Sequence, residues 1–134
     1  MAILTKVYRD NREKSQNLYY GRAVILNTLT TKDLAKIMQA NCTIKESDIL
    51  AVISELIDVM TFQLQNSNAV KLDGFGTFKV GVKTHGAASA KDFSCDENVD
   101  GFRLNFVPEG HKDVSSKKVK RAFIDGCRAK KYEA

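Results

Sequence analysis

The chain has 134 residues, 43% hydrophobic and 28% charged, with eight Gly and one Pro, an ordinary globular composition that bounds it to a single compact domain. Its net charge is +5, which points toward anionic partners only if the cations are gathered locally. No apolar run approaches the roughly 18 residues of a membrane span, and Met1 to Lys6 lacks the apolar core of a signal peptide, so a cytoplasmic address is expected.

Residues 3–8 and 18–26 are rich in β-branched and aromatic side chains, and the polar stretch Arg9 to Asn17 between them reads as a loop. An N-terminal strand pair is expected. At Thr30-Thr31-Lys32-Asp33 a hydroxyl stands three residues before a carboxylate, a pattern that caps a helix start, and Leu34, Ile37 and Met38 follow at helical spacing. The spacing predicts a helix over 31–40, ended by Asn41.

Thr43 to Asp48 offers caps for a second helix running to about Asn66. Ile49, Ile53, Leu56 and Met60 form one apolar stripe, Leu50, Ile57 and Leu64 widen it, and Val52, Val59 and Phe62 carry it nearly around the helix. That girth exceeds the one-sided stripe of a surface helix. A chain this small has few elements to cover both sides, and a second copy across a two-fold axis is the simplest supply, so an obligate homodimer is expected.

From Ala69 the period becomes alternating. Val70 and Leu72 point one way and Lys71 and Asp73 the other, and after Gly74-Phe75-Gly76 the residues Phe78, Val80 and Val82 share a face opposite Thr77, Lys79, Gly81 and Lys83. Phe102, Leu104 and Phe106 repeat the pattern with Arg103 and Asn105 outside. Between these strands, His85 to Gly101 is too long for a tight hairpin and reads as a protruding or loosely ordered arm. Pro108 and Gly110 stop the third strand. Val114-Ser115-Ser116 opens a predicted last helix with Val119, Ala122 and Phe123 on its buried side, Gly126 as its C-cap, and Lys117, Lys118, Lys120 and Arg121 in its first turns.

Charge is unevenly spread. Residues 1–27 carry five basic and two acidic groups, 28–83 balance, 84–101 are net −3 and 112–131 are net +6. Cations at a helix start oppose the macrodipole, and an anionic partner such as phosphate removes that penalty. Cys42, Cys95 and Cys127 form no C-x-x-C pair, and His85 and His111 have no companion at ligand spacing, so no disulfide, metal or cofactor is expected.

The order helix, long helix, strand, Gly-Phe-Gly-Thr-Phe, strand, arm, strand ending in Asn105-Phe106-Val107-Pro108, then basic helix resembles the bacterial histone-like HU and integration host factor family over roughly 28–126. The most specific piece is Val70-Lys71-Leu72-Asp73-Gly74-Phe75-Gly76-Thr77-Phe78. The resemblance implies an α+β, HU-like intertwined dimer with two N-terminal helices, a three-stranded antiparallel sheet with a β-arm, and a C-terminal helix. The N-terminal strand pair (1–27) is an addition to the domain at 28–131, as in a divergent HU-related branch. It also implies that Phe75, Phe78 and Phe106 pack in a dimer core, to which Ile53, Leu56, Ile57 and Met60 of the long helix are assigned.

In typical members two arms enter the minor groove, with Arg tracking phosphates and a Pro wedging base steps. Here 84–101 has no Arg and no Pro, only Lys91 against Asp92, Asp96, Glu97 and Asp100. The family's arm residues are not carried over, and Phe93 reads as a local packing contact rather than a wedge. What survives is a body-centred surface of Lys71, Lys79, Lys83, Arg103, Lys112, Lys117, Lys118, Lys120 and Arg121. It would bind duplex DNA without regard to sequence. No helix presents Arg, Asn or Gln for base reading.

The expected function is that of a homodimeric, nucleoid-associated architectural protein that bends or condenses DNA. The alternative is an HU-fold structural or protein-interaction dimer that has lost DNA binding, favoured by the acidic arm. An enzyme has little basis: Gly74-Phe75-Gly76 is a turn rather than a phosphate loop, and no nucleophile, base and orienter set can be assembled.

Overall fold

The computed structural model describes residues 1–15, 17–115 and 117–133, and they divide into two compact units, Met1–Glu46 with Ile124–Ala134, and Ser47–Phe123.

In the first unit, β1 (Ile3–Arg9) pairs antiparallel with β2 (Tyr19–Ala23), as the β-rich pattern predicts. A third strand that the pattern did not announce, β8 (Ala129–Lys131), pairs in parallel with the other edge of β1. The expected strand pair is therefore a three-stranded sheet in the order β2-β1-β8. The loop joining β1 to β2 is pinned by Asp10, whose carboxylate accepts from the Arg12 guanidinium at 2.6–3.0 Å and from the Arg12 amide at 3.0 Å. These bonds hold the Asp10 carboxyl below the usual carboxylate range.

Helix α1 (Thr31–Asn41) opens behind an extended Thr30, whose hydroxyl accepts from the Asp33 amide at 3.3 Å. The Asp33 carboxylate accepts in return from the Thr30 amide and hydroxyl, both at 2.9 Å. This is the reciprocal box anticipated from the spacing.

The long helix α2 (Glu46–Gln65) carries its apolar residues around most of its girth. Ile49 is buried and Ile53 and Met60 are half-buried, whereas Val52, Ile57, Val59 and Phe62 are exposed. The sheet of the second unit has the order β3-β4-β5, with β3 at Val70–Leu72, β4 at Gly76–Thr84 and β5 at Val99–Pro108. At the β3–β4 turn Gly74 (φ 76°) and Gly76 (φ 154°) take backbone conformations that other residues resist. A Cβ on Gly76 would stand 2.4 Å from the Val107 carbonyl oxygen. The Phe75, Phe78 and Phe106 rings cluster there, with centroids 4.7–5.8 Å apart.

Two expectations are corrected in this unit. The arm is not loosely ordered throughout: residues 85–93 are exposed and without regular structure, but the segment is tied at its base through α3 (Cys95–Asn98). Asn98, 5% exposed, accepts from the Ser94 amide at 3.0 Å and donates to the carbonyls of His85 (3.1 Å) and Gly86 (3.4 Å). One buried amide side chain thus satisfies backbone groups on both sides of the connector. His85 Nδ1 also lies 2.9 Å from an Asp100 carboxylate oxygen.

Among the described residues the predicted basic C-terminal helix does not form either. β6 (Gly110–Lys112) and β7 (Val119–Arg121) form a hairpin, and Ser116, which the helix would have included, lies outside the described residues. Its turn is built from Lys117 at φ 56°, whose amide donates to the Asp113 carbonyl (3.0 Å), and the Asp113 amide donates to the Lys118 carbonyl (2.9 Å). Four cations at a helix start would have opposed its dipole. In the hairpin Lys120 instead lies 3.8 Å from Asp113. Val119 and Phe123, expected on a buried face, are exposed, although Phe123 packs edge-on against Phe75 at 4.9 Å. Gly126 keeps a positive φ (83°) without a helix to cap.

Candidate nucleic-acid interface

The register of the β3-β4-β5 sheet sorts its side chains cleanly. Lys71 pairs with Thr77, Lys79 with Asn105, Gly81 with Arg103 and Lys83 with Gly101. Cross-strand partners point to the same side. Lys71, Lys79, Lys83 and Arg103 therefore share one face, as the alternation predicts. Val70, Leu72, Phe78, Val80, Val82, Phe102, Leu104 and Phe106 share the other.

On the cationic face, Lys79 and Lys83 stand about 13 Å apart along β4 at the usual strand rise. Arg103 lies between them on β5, with its aliphatic stem over Gly81, where a Cβ would meet it at 3.5 Å. Lys79, Lys83 and Arg103 are exposed, and among the described residues none has a carboxylate within ion-pair distance. Lys71 differs. Its ammonium lies 3.7 Å from Glu109 and 4.0 Å from Asp73, and Glu109 also accepts from the Gly74 amide.

The remaining five cations stand on the β6–β7 hairpin, not on a helix. Lys112 is on β6, Lys117 and Lys118 are in the turn, and Lys120 and Arg121 are on β7. Lys120 is drawn to Asp113, and Arg121 donates to the Pro108 carbonyl at 3.3 Å. Lys112, Lys117 and Lys118 project as exposed point charges. The acidic connector leaves Lys91 as its one cation. Three residues to which the sequence pattern assigns no role, Lys6, Arg22 and Lys130, fall on one face of the β2-β1-β8 sheet. The signal for Lys6 and Arg22 was the alternation Lys6-Val7-Tyr8 and Tyr20-Gly21-Arg22 within the strands, whereas Lys130 had none.

The arrangement presents donors and positive charge to an anion, with Arg103 able to fork onto a phosphate and the lysines acting as point charges. Among the described residues no three His, Cys, Asp or Glu side chains gather as metal ligands.

A family model, HU-HIG, described as "HU domain fused to wHTH, Ig, or Glycine-rich motif", matches residues 1–123. The chain belongs to the HU-HIG family. The expected resemblance to HU proteins is met, and the HU-HIG match takes in β1 and β2 together with the Gly74–Gly76 turn. The fold is similar to a crystal structure from Bacteroides vulgatus ATCC 8482 described as a "Putative bacterial DNA binding protein", with a TM-score of 0.56 at 10% sequence identity. That alignment covers 89% of this chain and 58% of the other, so the HU-HIG chain spans a little over half the length of that protein. No curated protein matches the chain.

Proposed function

We propose that this HU-HIG protein is a non-enzymatic, sequence-independent architectural DNA-binding protein that acts as a homodimer in the cytoplasm, on the nucleoid. The observation that carries the reading is the two-faced central sheet. One face offers Lys79, Lys83 and Arg103 to solvent, and the opposite face exposes hydrophobic side chains, with Phe102 at 69% and Leu104 at 62% exposure.

Support for a second copy comes from the scarcity of buried apolar side chains. Among the described residues only Ala35 (0%) and Ile49 (4%) are hydrophobic and buried. A groove of about 620 Å³ lined by Leu64, Val80, Val82, Phe102 and Leu104, with Gln65, Ser67 and Arg103 at its polar parts, lies open. Exposed apolar side chains gathered in this way favour burial against a second copy. In the proposed dimer Ile53, Leu56, Ile57 and Met60 meet their counterparts, with Phe75, Phe78 and Phe106 bracing the junction. The paired cationic faces then neutralise phosphates and release counterions, which gives affinity without base reading.

A second reading, an interaction dimer without nucleic acid, draws on the balance of the Ser47–Phe123 unit, where ten basic residues meet ten acidic ones. Fluorescence anisotropy on a random 30-base-pair duplex at several salt concentrations, with sedimentation velocity on the free protein, separates the two. Dimers that bind the duplex with a steep salt slope support the architectural reading. Dimers inert at low salt favour the second, and a stable monomer overturns both.

A further inference from the structure

The +5 surplus of the chain falls entirely in the unit Met1–Glu46 with Ile124–Ala134, which holds eleven Lys and Arg against six Asp and Glu. Two of those six acids are committed, Asp10 to Arg12 and Asp33 to the α1 cap. The register of the β2-β1-β8 sheet gathers part of the surplus. Lys6 stands directly across from Arg22, Tyr8 across from Tyr20, and Lys130 across from Leu4, so all six share one face, and none is acidic. Among the described residues no carboxylate lies within ion-pair distance of Lys6, Arg22 or Lys130.

Like charges directly opposite each other on neighbouring strands oppose sheet formation. Their placement here calls for an anion over the sheet. The aromatic residues say which kind. Tyr8 and Tyr20 are 37% and 40% exposed, their ring centroids are 6.2 Å apart and inclined by 36°, and the Arg22 guanidinium carbon sits 5.2 Å over the Tyr8 ring. Exposed rings on a sheet flanked by cations can stack bases while the cations follow the backbone. Bases within a duplex are already stacked and do not present their flat faces to such a platform.

We infer that the face carrying Lys6, Tyr8, Tyr20, Arg22 and Lys130 is a second nucleic-acid surface, and that its ligand is unpaired strand. Bases stack on Tyr20 and on the Tyr8–Arg22 pair, and phosphates meet Lys6, Arg22 and Lys130. Single-stranded DNA supplies this ligand, as does single-stranded RNA. The inference stands apart from the duplex-binding reading, because it rests on different residues and a different form of nucleic acid.

The test uses the full chain with fluorescein-labelled dT20, U20 and a 20-base-pair duplex. Tyr8→Ala and Tyr20→Ala are expected to weaken single-strand binding on the order of tenfold each, while Tyr8→Phe and Tyr20→Phe retain it. Arg22→Glu sets opposite charges across β1 and β2, so it keeps the fold, checked by circular dichroism and thermal melting, yet lowers single-strand affinity. Duplex affinity stays within about twofold throughout. Binding of dT20, U20 or both in this pattern supports the inference, and the preferred oligonucleotide identifies the source. Single-strand affinity that is absent, or indifferent to all these variants, overturns it. So does equal loss on the duplex.

Discussion

Gly76 sits against the ring of Phe106, so close that a Cβ on the glycine would reach Phe106 Cε2 at 2.6 Å and the Val107 carbonyl oxygen at 2.4 Å. The contact joins the β3–β4 turn to the end of β5, and backbone cannot yield as a flexible side chain can. Replacing Gly76 with Ala therefore adds a steric conflict to an unfavourable φ of 154°. We expect a loss of about 2–4 kcal/mol. Gly74→Ala is the control: Gly74 also has positive φ (76°) but has nothing within 4 Å of the added carbon, so its cost is about 1 kcal/mol. Urea unfolding at fixed protein concentration compares the two, and equal losses would show that packing at Phe106 is irrelevant.

Asn98 anchors the β4–β5 connector from inside. Removing its amide in Asn98→Ala leaves the Ser94 amide and the His85 and Gly86 carbonyls without that partner. An unsatisfied buried group costs about 1–3 kcal/mol, and the connector can escape the cost by opening. Amide hydrogen exchange over residues 85–98 should accelerate in this variant while β1 and β2 keep their protection. Unchanged exchange would mean that the connector is held by something other than Asn98.

These residues show where sequence pattern carries information and where it loses it. The Thr30–Asp33 box and the alternation of Phe78, Val80 and Val82 with Lys79, Gly81 and Lys83 are local, so period and spacing suffice to place them. Asn98 left no trace because a polar residue in a polar stretch carries no burial signal. Ala129-Lys130-Lys131 has no β-branched residue, and its parallel pairing with β1 joins opposite ends of the sequence. Val119, Ala122 and Phe123 fall at helical spacing by coincidence, and that spacing outweighed two local signals, the unfavourable macrodipole and the β-branched Val119. On the candidate site, alternation sorted the sheet cations onto one face and set Asp73 beside Lys71, but it could not reveal that Glu109 reaches Lys71 and Asp113 reaches Lys120, since both do so only through the folded turns.

The Thr30–Asp33 box also makes the stability of α1 sensitive to acid. Hydrogen bonds from the Thr30 amide and hydroxyl, aided by Lys36 and Lys32, hold the Asp33 carboxyl below its ordinary value. A depressed pKa contributes stability that is fully present above the unfolded value of about 3.9 and fades as pH falls through the folded value. Asp10, held by Arg12, acts in the same direction. Thermal midpoints of the wild type and Asp33→Asn should therefore differ at pH 7 and converge as pH falls below about 4. A gap that persists at pH 2 would show that the carboxylate charge is not what Asp33 contributes.

Among the sheet and hairpin cations, ion pairing predicts an order of importance for duplex DNA. Among the described residues Lys79, Lys83 and Arg103 have no carboxylate to relinquish, whereas Lys71 must leave Glu109 and Asp73, and Lys120 must leave Asp113, before meeting a phosphate. Reversal to Glu at Lys79, Lys83 or Arg103 is expected to weaken duplex binding several-fold each, equally on unrelated sequences. Each also makes the slope of log K against log salt shallower by about 0.9, because one phosphate fewer is neutralised. The same change at Lys71 or Lys120 should lower affinity less. Anisotropy titrations from 50 to 200 mM salt give both quantities. Were Lys71→Glu the most damaging, the cationic surface would be centred on the β3–β4 turn instead of the β4–β5 strands.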